Sequence, residues 1–162
     1  MIAQSTGVNS SNERSQANSG VLSSERKSDL CDGEWPEIRV AMMPRDTNAL
    51  GTIFGGHILS LIDQAGAIGA QRLGLHRVVT VAMREVVFKE PVRVGDIVSC
   101  TARVKQIGRT SVAVCVRVFT ESPENPGHRT EVTEAEVVYV HVNADGVPIP
   151  IPVESQLTSG SI

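Results

Sequence analysis

The sequence predicts an α+β fold in which one antiparallel sheet of five to six strands wraps around a single long central helix. Three observations carry this. One stretch, Gly55 to Leu73, has a long helical pattern that is apolar on nearly every side, and between Arg45 and Arg72 only Asp46 and Asp63 carry formal charge. The apolar segments after it are β-branched or alternate with period two, as half-buried strands do. Aromatic residues make up 3% of a chain that is 41% hydrophobic, so the core is built from Val, Ile, Leu and Ala. A chain of 162 residues fits one domain.

The elements follow in order. Residues 1–35 are rich in Ser, Asn, Gln, Gly and charge, with too little to bury to offset their ordering entropy, and are predicted to be a disordered tail. The folded domain is predicted over 36–147, opening with a strand through Ile38-Arg39-Val40-Ala41-Met42 that Pro44 ends. The helix is expected from Gly55 or Gly56 to about Leu73, with Gly74 as its stop. Gly66 and Gly69 inside it each cost about 1 kcal/mol relative to alanine, which close approach of another backbone would offset. Val78 to Phe88 reads as extended and is closed by Lys89-Glu90-Pro91. Val98, Cys100, Ala102 and Val104 alternate with Ser99, Thr101, Arg103 and Lys105, predicting an apolar and a polar strand face. Gly108-Arg109 makes a hairpin turn into Val112, Val114, Val116 and Val118. A loop over Glu121 to His128 precedes a last strand, Arg129 to Val142. Residues 148–162 have no periodicity and are predicted to fray. The expected order is strand, buried helix, then four strands in an antiparallel meander, which is the hotdog architecture.

Composition removes several function classes. A net charge of −3 leaves no basic footprint for nucleic acid. No run reaches the roughly 18 apolar residues of a membrane span, and no apolar signal region opens the chain. Cys31, Cys100 and Cys115 are odd in number and lack CxxC spacing, which suits a reduced, cytoplasmic chain. There is no G-x-S-x-G elbow or Walker loop, and His57, His76, His128 and His141 lack metal-ligand spacing, so neither a metal nor a required cofactor is expected.

What chemistry remains centres on Asp63. A carboxylate inside an apolar helix is costly unless paired, protonated or used. As a general base or nucleophile its pKa would be lifted by the apolar setting; as a structural group it would be hydrogen-bonded to a loop or a partner subunit. Gly55 and Gly56 at the helix start offer unpaired N–H groups to a developing oxyanion, or simply allow a tight turn. Asn48 and Thr52 are suited equally to holding a water near Asp63 and to capping the turn. Gln64 could orient a water or a carbonyl, or be an interface amide. The turn Gly108-Arg109-Thr110-Ser111, with Lys105 just before it, presents a guanidinium, hydroxyls and an ammonium suited to phosphate, although many such turns are only solvated.

Asn48 to Ala67, with Gly51-Thr52-Ile53-Phe54-Gly55-Gly56 and Leu61-Ile62-Asp63, resembles the bacterial broad-specificity acyl-CoA hydrolases and cytosolic acyl-CoA thioesterases. The likeness continues through Val79-Thr80-Val81-Ala82, Phe88-Lys89-Glu90-Pro91, Val94-Gly95-Asp96 and Gly108-Arg109-Thr110-Ser111. The resemblance implies that Asp63 is the catalytic carboxylate, and that coenzyme A lies along the strands and the Gly108–Ser111 turn, with Lys105, Phe88 and Lys89 among its contacts. It also implies self-association as dimers and trimers of dimers. Two positions depart from the family pattern: Thr52, where a related active site has asparagine, and His57, where many bacterial members have a large aromatic.

The resulting expectation is an acyl-CoA thioester hydrolase, with Asp63 activating water or attacking the thioester, and Gly55, Gly56, Asn48, Thr52 and Gln64 assisting across a dimer interface. The rival is a non-catalytic acyl-CoA-binding sensor on the same fold. A hotdog dehydratase ranks third, because His57 and Asp63 share a helix face poorly.

Overall fold

The computed structural model describes residues 35–152, so the predicted tail over residues 1–35 falls almost wholly outside the described residues, as do residues 153–162. Five strands, β1 (Trp35–Ala41), β2 (Val78–Arg84), β3 (Ile97–Ile107), β4 (Ser111–Glu121) and β5 (Arg129–His141), form one antiparallel sheet against the helix α1 (Gly55–Gln71). The strands lie in the order β1-β3-β4-β5-β2. This corrects the expected four-strand meander: β3, β4 and β5 do meander, but β2 pairs with β5 at one edge and β1 with β3 at the other. A tight hairpin would have joined β2 to β3. The long connection 85–96, entered through Glu85 at φ 55, instead ends β2 at Arg84, short of the predicted Phe88, and leaves it at the far edge.

Helix and sheet bury a stripe each. Ile58, Leu61, Ile62, Ala65, Gly66, Gly69 and Ala70 repeat at helical spacing on the buried side of α1. They meet Val112, Val114, Val116 and Val118, which alternate along β4 and are all buried. Burying one such side chain stabilises the fold by about 1.5–3 kcal/mol. The expectation of a helix covered all round is corrected: Ser60, Gln64, Ile68 and Gln71 are open in a single copy. One five-stranded sheet covers only one side of a helix.

The helix glycines are explained by side chains rather than by another backbone. A Cβ on Gly66 would lie 2.3 Å from the Tyr139 hydroxyl, and one on Gly69 would lie 2.9 Å from the Ala102 Cβ. Gly74, at φ +76, follows the last helical turn as expected.

Two further expectations change. Ser99 and Thr101, assigned to a polar face of β3, are as buried as Val98, Cys100 and Ala102. Long side chains on neighbouring strands roof them, and the Arg39 guanidinium donates to Ser99 Oγ at 3.3 Å. Burial also pushes the Cys100 thiol up to about 12, as fits an inert core cysteine.

The second concerns the tail predicted to begin at 148. Asn143 reverses the chain, its Oδ1 accepting from the Asp145 and Val147 N–H groups. Ile149 N–H then donates to His141 O and Ile151 N–H to Arg109 O, and Ile151 is buried in the core. The folded unit therefore continues at least to Pro152.

Candidate active site

Asp63 lies in the middle of α1, half-buried, where the helix passes edge strand β2. The cross-strand pair Thr80 and Tyr139 holds it from two sides. Thr80 Oγ1 donates to Asp63 Oδ1 at 2.6 Å, and the Tyr139 hydroxyl donates to the Asp63 backbone carbonyl at 2.7 Å. Tyr139 is fully buried, and the missing side chain of Gly66 makes room for its hydroxyl. Burial, and then the nearby Asp63 charge, push the Tyr139 phenol well above its usual range, so it stays a proton donor. Among the described residues Asp63 has no ion-pair partner. Beyond Thr80 lies the unpaired edge of β2, carrying the exposed Val79 and Val81.

The glycine pair opens α1. Phe54 is the extended N-cap residue (φ −63, ψ 125), so Gly55 and Gly56 occupy the first two helical positions. Their N–H groups precede the point where intrahelical bonding begins, whereas the His57 N–H already reaches Phe54 O at 2.9 Å. The Phe54 ring lies where a Gly56 side chain would be, and the Phe88 ring lies 3.6 Å from a Cβ placed on Gly55. Both rings are largely exposed. The start of α1 thus lies against two aromatic rings.

Helix geometry separates these two features. Seven residues at about 1.5 Å rise put Gly56 and Asp63 about 10 Å apart along the axis, too far to serve one carbonyl carbon within one chain.

The remaining predicted residues fall into groups. Asn48 and Thr52 are joined to each other: Asn48 Nδ2 donates to Thr52 Oγ1 at 2.9 Å, and Asn48 Oδ1 accepts from the Leu50 N–H at 2.8 Å. Within one chain they shape the loop before the glycines and make no hydrogen bond to Asp63. Gln64 is exposed and donates to Ser60 Oγ at 3.0 Å.

Arg109 stands at the tip of the β3–β4 hairpin, exposed, with no hydrogen-bond partner for its guanidinium among the described residues. The turn itself is closed by Gly108 N–H to Ser111 O at 2.7 Å and by His141 N–H to Thr110 O at 2.8 Å. Ser111 begins β4 beside Val112, two strands across from Thr80, which puts Ser111 about 10 Å from Thr80, the residue bonded to Asp63.

Phe88 and Lys89 are elsewhere. Lys89 N–H donates to Val132 O, eight residues along β5 from the Ser111 partner Val140, so about 25 Å separates this segment from the turn. Lys105 and Lys89 are each ion-paired, with Glu136 and Glu131. The structure therefore does not bring the predicted coenzyme A contacts together in one chain.

Sequence reasoning missed the roles of Thr80 and Tyr139. Thr80 was visible as a polar residue in the β-branched run Val78-Val79-Thr80-Val81, and Tyr139 as the single tyrosine of the chain. A cavity of ≈ 380 Å³ lies between the 90–96 segment and the β4–β5 loop, lined in part by Arg93, Asp96 and His128, and none of the candidate catalytic residues lines it. Among the described residues no cluster of His, Cys, Asp or Glu could hold a metal, and no helix is long and apolar enough to cross a membrane.

Residues 50–126 match the thioesterase superfamily. The chain is 44% identical over 119 residues to the acyl-CoA thioester hydrolase YciA of Escherichia coli K12, a match covering 72% of this chain and 90% of that one. Among solved structures it is similar to a hexameric hotdog-fold thioesterase of Campylobacter jejuni (46% identity, TM-score 0.73, 78% of this chain and 96% of that one). It is also similar to an aspartate-to-alanine mutant of a hexameric broad-specificity acyl-coenzyme A thioesterase (37% identity, TM-score 0.73, 77% and 94% covered). With the helix, the five-stranded sheet and these matches over most of its described length, the chain belongs to the hotdog-fold thioesterase superfamily.

Proposed function

We propose that this protein hydrolyses acyl-CoA thioesters to a free carboxylic acid and coenzyme A, at sites formed where two copies meet along the β2 edge. The observation that carries this reading is Asp63: a carboxylate with no ion-pair partner among the described residues, oriented by the Thr80 hydroxyl, beside an unpaired strand edge. An exposed edge with apolar side chains invites a second copy, and two-fold pairing of β2 with itself sets the two helices antiparallel. The N-terminus of one helix is thereby carried towards the Asp63 of the other, which answers the separation found within one chain. Thr52 and Asn48, in the loop before the glycines, approach the same seam from the partner's side. The hexamers formed by similar thioesterases fit three such dimers.

In the reaction, the Asp63 carboxylate takes a proton from a water attacking the thioester carbonyl, or attacks that carbon itself to form an anhydride. The partner's Gly55 or Gly56 N–H stabilises the oxyanion. The carbon–sulfur bond then breaks and the thiolate of coenzyme A leaves, taking up the proton held by Asp63 on the general-base route or one from solvent on the anhydride route. On the anhydride route a water then cleaves the anhydride to release the acid and restore the Asp63 carboxylate. The Arg109 guanidinium, with Thr110 and Ser111, receives phosphate of the nucleotide, within reach of the pantetheine arm. A cytoplasmic location suits a substrate of this kind.

The test is thiol release from a panel of acyl-CoA thioesters by wild-type protein and by Asp63→Ala. General acid–base groups contribute about 10²–10⁴-fold, so the variant should lose at least that much turnover while it still folds and binds coenzyme A. A wild-type protein that binds acyl-CoA without turnover would point to the sensor reading instead. Single turnover in ¹⁸O-water separates the two roles of Asp63, because direct attack leaves the first oxygen in the enzyme carboxylate.

A further inference from the structure

Pro148-Ile149-Pro150-Ile151-Pro152 belongs to no strand, yet it is held along its length. Proline has no N–H, so this segment has two backbone donors, Ile149 and Ile151, and both are used. Ile149 N–H donates to His141 O at 2.9 Å, and Ile151 N–H donates to Arg109 O at 2.8 Å. A bridge between Val142 and Pro148, and a contact of 3.3 Å between His141 Nδ1 and Pro150 O, hold it against the end of β5. The Ile151 side chain is 3% exposed and joins the core. The prolines keep the segment extended, so it arrives at Arg109 with little freedom left to lose.

Its end point matters. The carbonyl that Ile151 holds belongs to Arg109, the residue whose guanidinium is left free at the tip of the turn. The Gly108 N–H bond to Ser111 O and the His141 N–H bond to Thr110 O fix Gly108 and Thr110, and the Ile151 N–H bond fixes the residue between them. We propose that Val147–Pro152 is a strap that holds the Gly108–Ser111 turn in the conformation that receives phosphate of coenzyme A, with Ile151 as the positioning residue. The proposal rests on the reading of that turn as a phosphate site.

The strap acts on binding of the nucleotide end and leaves the reaction at Asp63 alone. The experiment measures kcat and KM of wild-type, Ile151→Ala, Ile151→Val and Arg109→Ala proteins. One substrate is an acyl-CoA, and the other is the N-acetylcysteamine thioester of the same acid, which has no phosphate. Ile151→Ala should raise KM for the acyl-CoA about three- to tenfold as the competent turn becomes less populated, with kcat within about twofold. Its kcat/KM for the short thioester should not change, and Ile151→Val should behave like wild type. Should Ile151→Ala fail to fold, the double variant Pro148→Gly/Pro150→Gly keeps both donors and the buried side chain but loosens the strap, and should raise the same KM about two- to fivefold. A KM raised by Arg109→Ala but by no strap variant overturns the strap and leaves the turn's role intact. An equal loss on both thioesters reduces Ile151 to a packing residue. An unchanged KM in Arg109→Ala overturns the turn's role, and the strap's with it.

Discussion

The outer face of the sheet and the helix side of its β2 edge treat charge in opposite ways. On the outer face, carboxylates meet cations of the same chain: Glu121 with Arg39, Glu131 with Lys89 and Arg117, and Glu136 with Lys105 and Arg84. The Lys89 ammonium, and after it the Arg117 guanidinium, hold Glu131 below the usual carboxylate range against the opposing effect of burial. The Phe119 ring is itself flanked by Arg117 and Arg129 at 4.8 and 4.4 Å. At the β2 edge, Asp63 has a hydroxyl for company and no cation among the described residues, and the amides of Gly55 and Gly56 at the helix start have no partner in the helix. On the first face these carboxylates are paired within a single copy, while the buried Nε atoms of Arg103 and Arg129 have no hydrogen-bond partner among the described residues. On the reading proposed above, a second copy brings the helix N-terminus to the carboxylate at the other.

This contrast can be broken at either end. Gly55→Pro removes one N–H from the open side with little disturbance, since proline is favoured at the first helical position and Phe54 is already extended. Loss of an oxyanion donor should lower kcat by about 10²–10³, read by thiol release at saturating substrate. Thr80→Val keeps the shape beside Asp63 but takes away the hydrogen bond. Loss of a hydrogen bond to a charged group, worth about 1.5–3 kcal/mol, should lower the melting temperature by several degrees and kcat by about tenfold, both restored by Thr80→Ser.

Glu131→Gln on the paired face should cost no more than about 1 kcal/mol and leave kcat unchanged, because partly exposed ion pairs contribute little. Its pH dependence has a definite sign. A carboxylate whose folded pKa is lowered stabilises the fold above its unfolded value, and that stability is lost as pH falls through the folded pKa. The gap in melting temperature between wild type and Glu131→Gln should therefore be present at neutral pH and close below the usual carboxylate range.

Much of this was legible in residues alone. Gly55, Gly74 and the alternating valines of β4 follow local rules, and α1, β4 and the Gly108 hairpin appear where those rules put them. Strand order did not follow, because β2 and β3 are both good strands and only the long 85–96 connection decides that they do not pair. The burial of Ser99 and Thr101 depends on long side chains from other strands, which no period within β3 records. Ile149 and Ile151 were hidden for a different reason: proline alternation resembles a fraying tail unless the acceptors, His141 O and Arg109 O, are known. At the site, Asp63 and the glycines stood out by type, whereas Thr80 and Tyr139 became meaningful once their cross-strand pairing faced the helix.

The account turns on Asp63 from one copy and the helix N-terminus from another acting on the same thioester. Asp63→Ala and Gly55→Pro proteins, each expected to lose at least about 10²-fold in kcat alone, can be unfolded together, refolded as a mixture and assayed for thiol release. Every mixed dimer then has one site carrying both defects and one carrying neither, so an equal mixture should recover about a quarter of wild-type turnover. A mixture that forms mixed dimers yet stays as inactive as its parents would contradict the shared site.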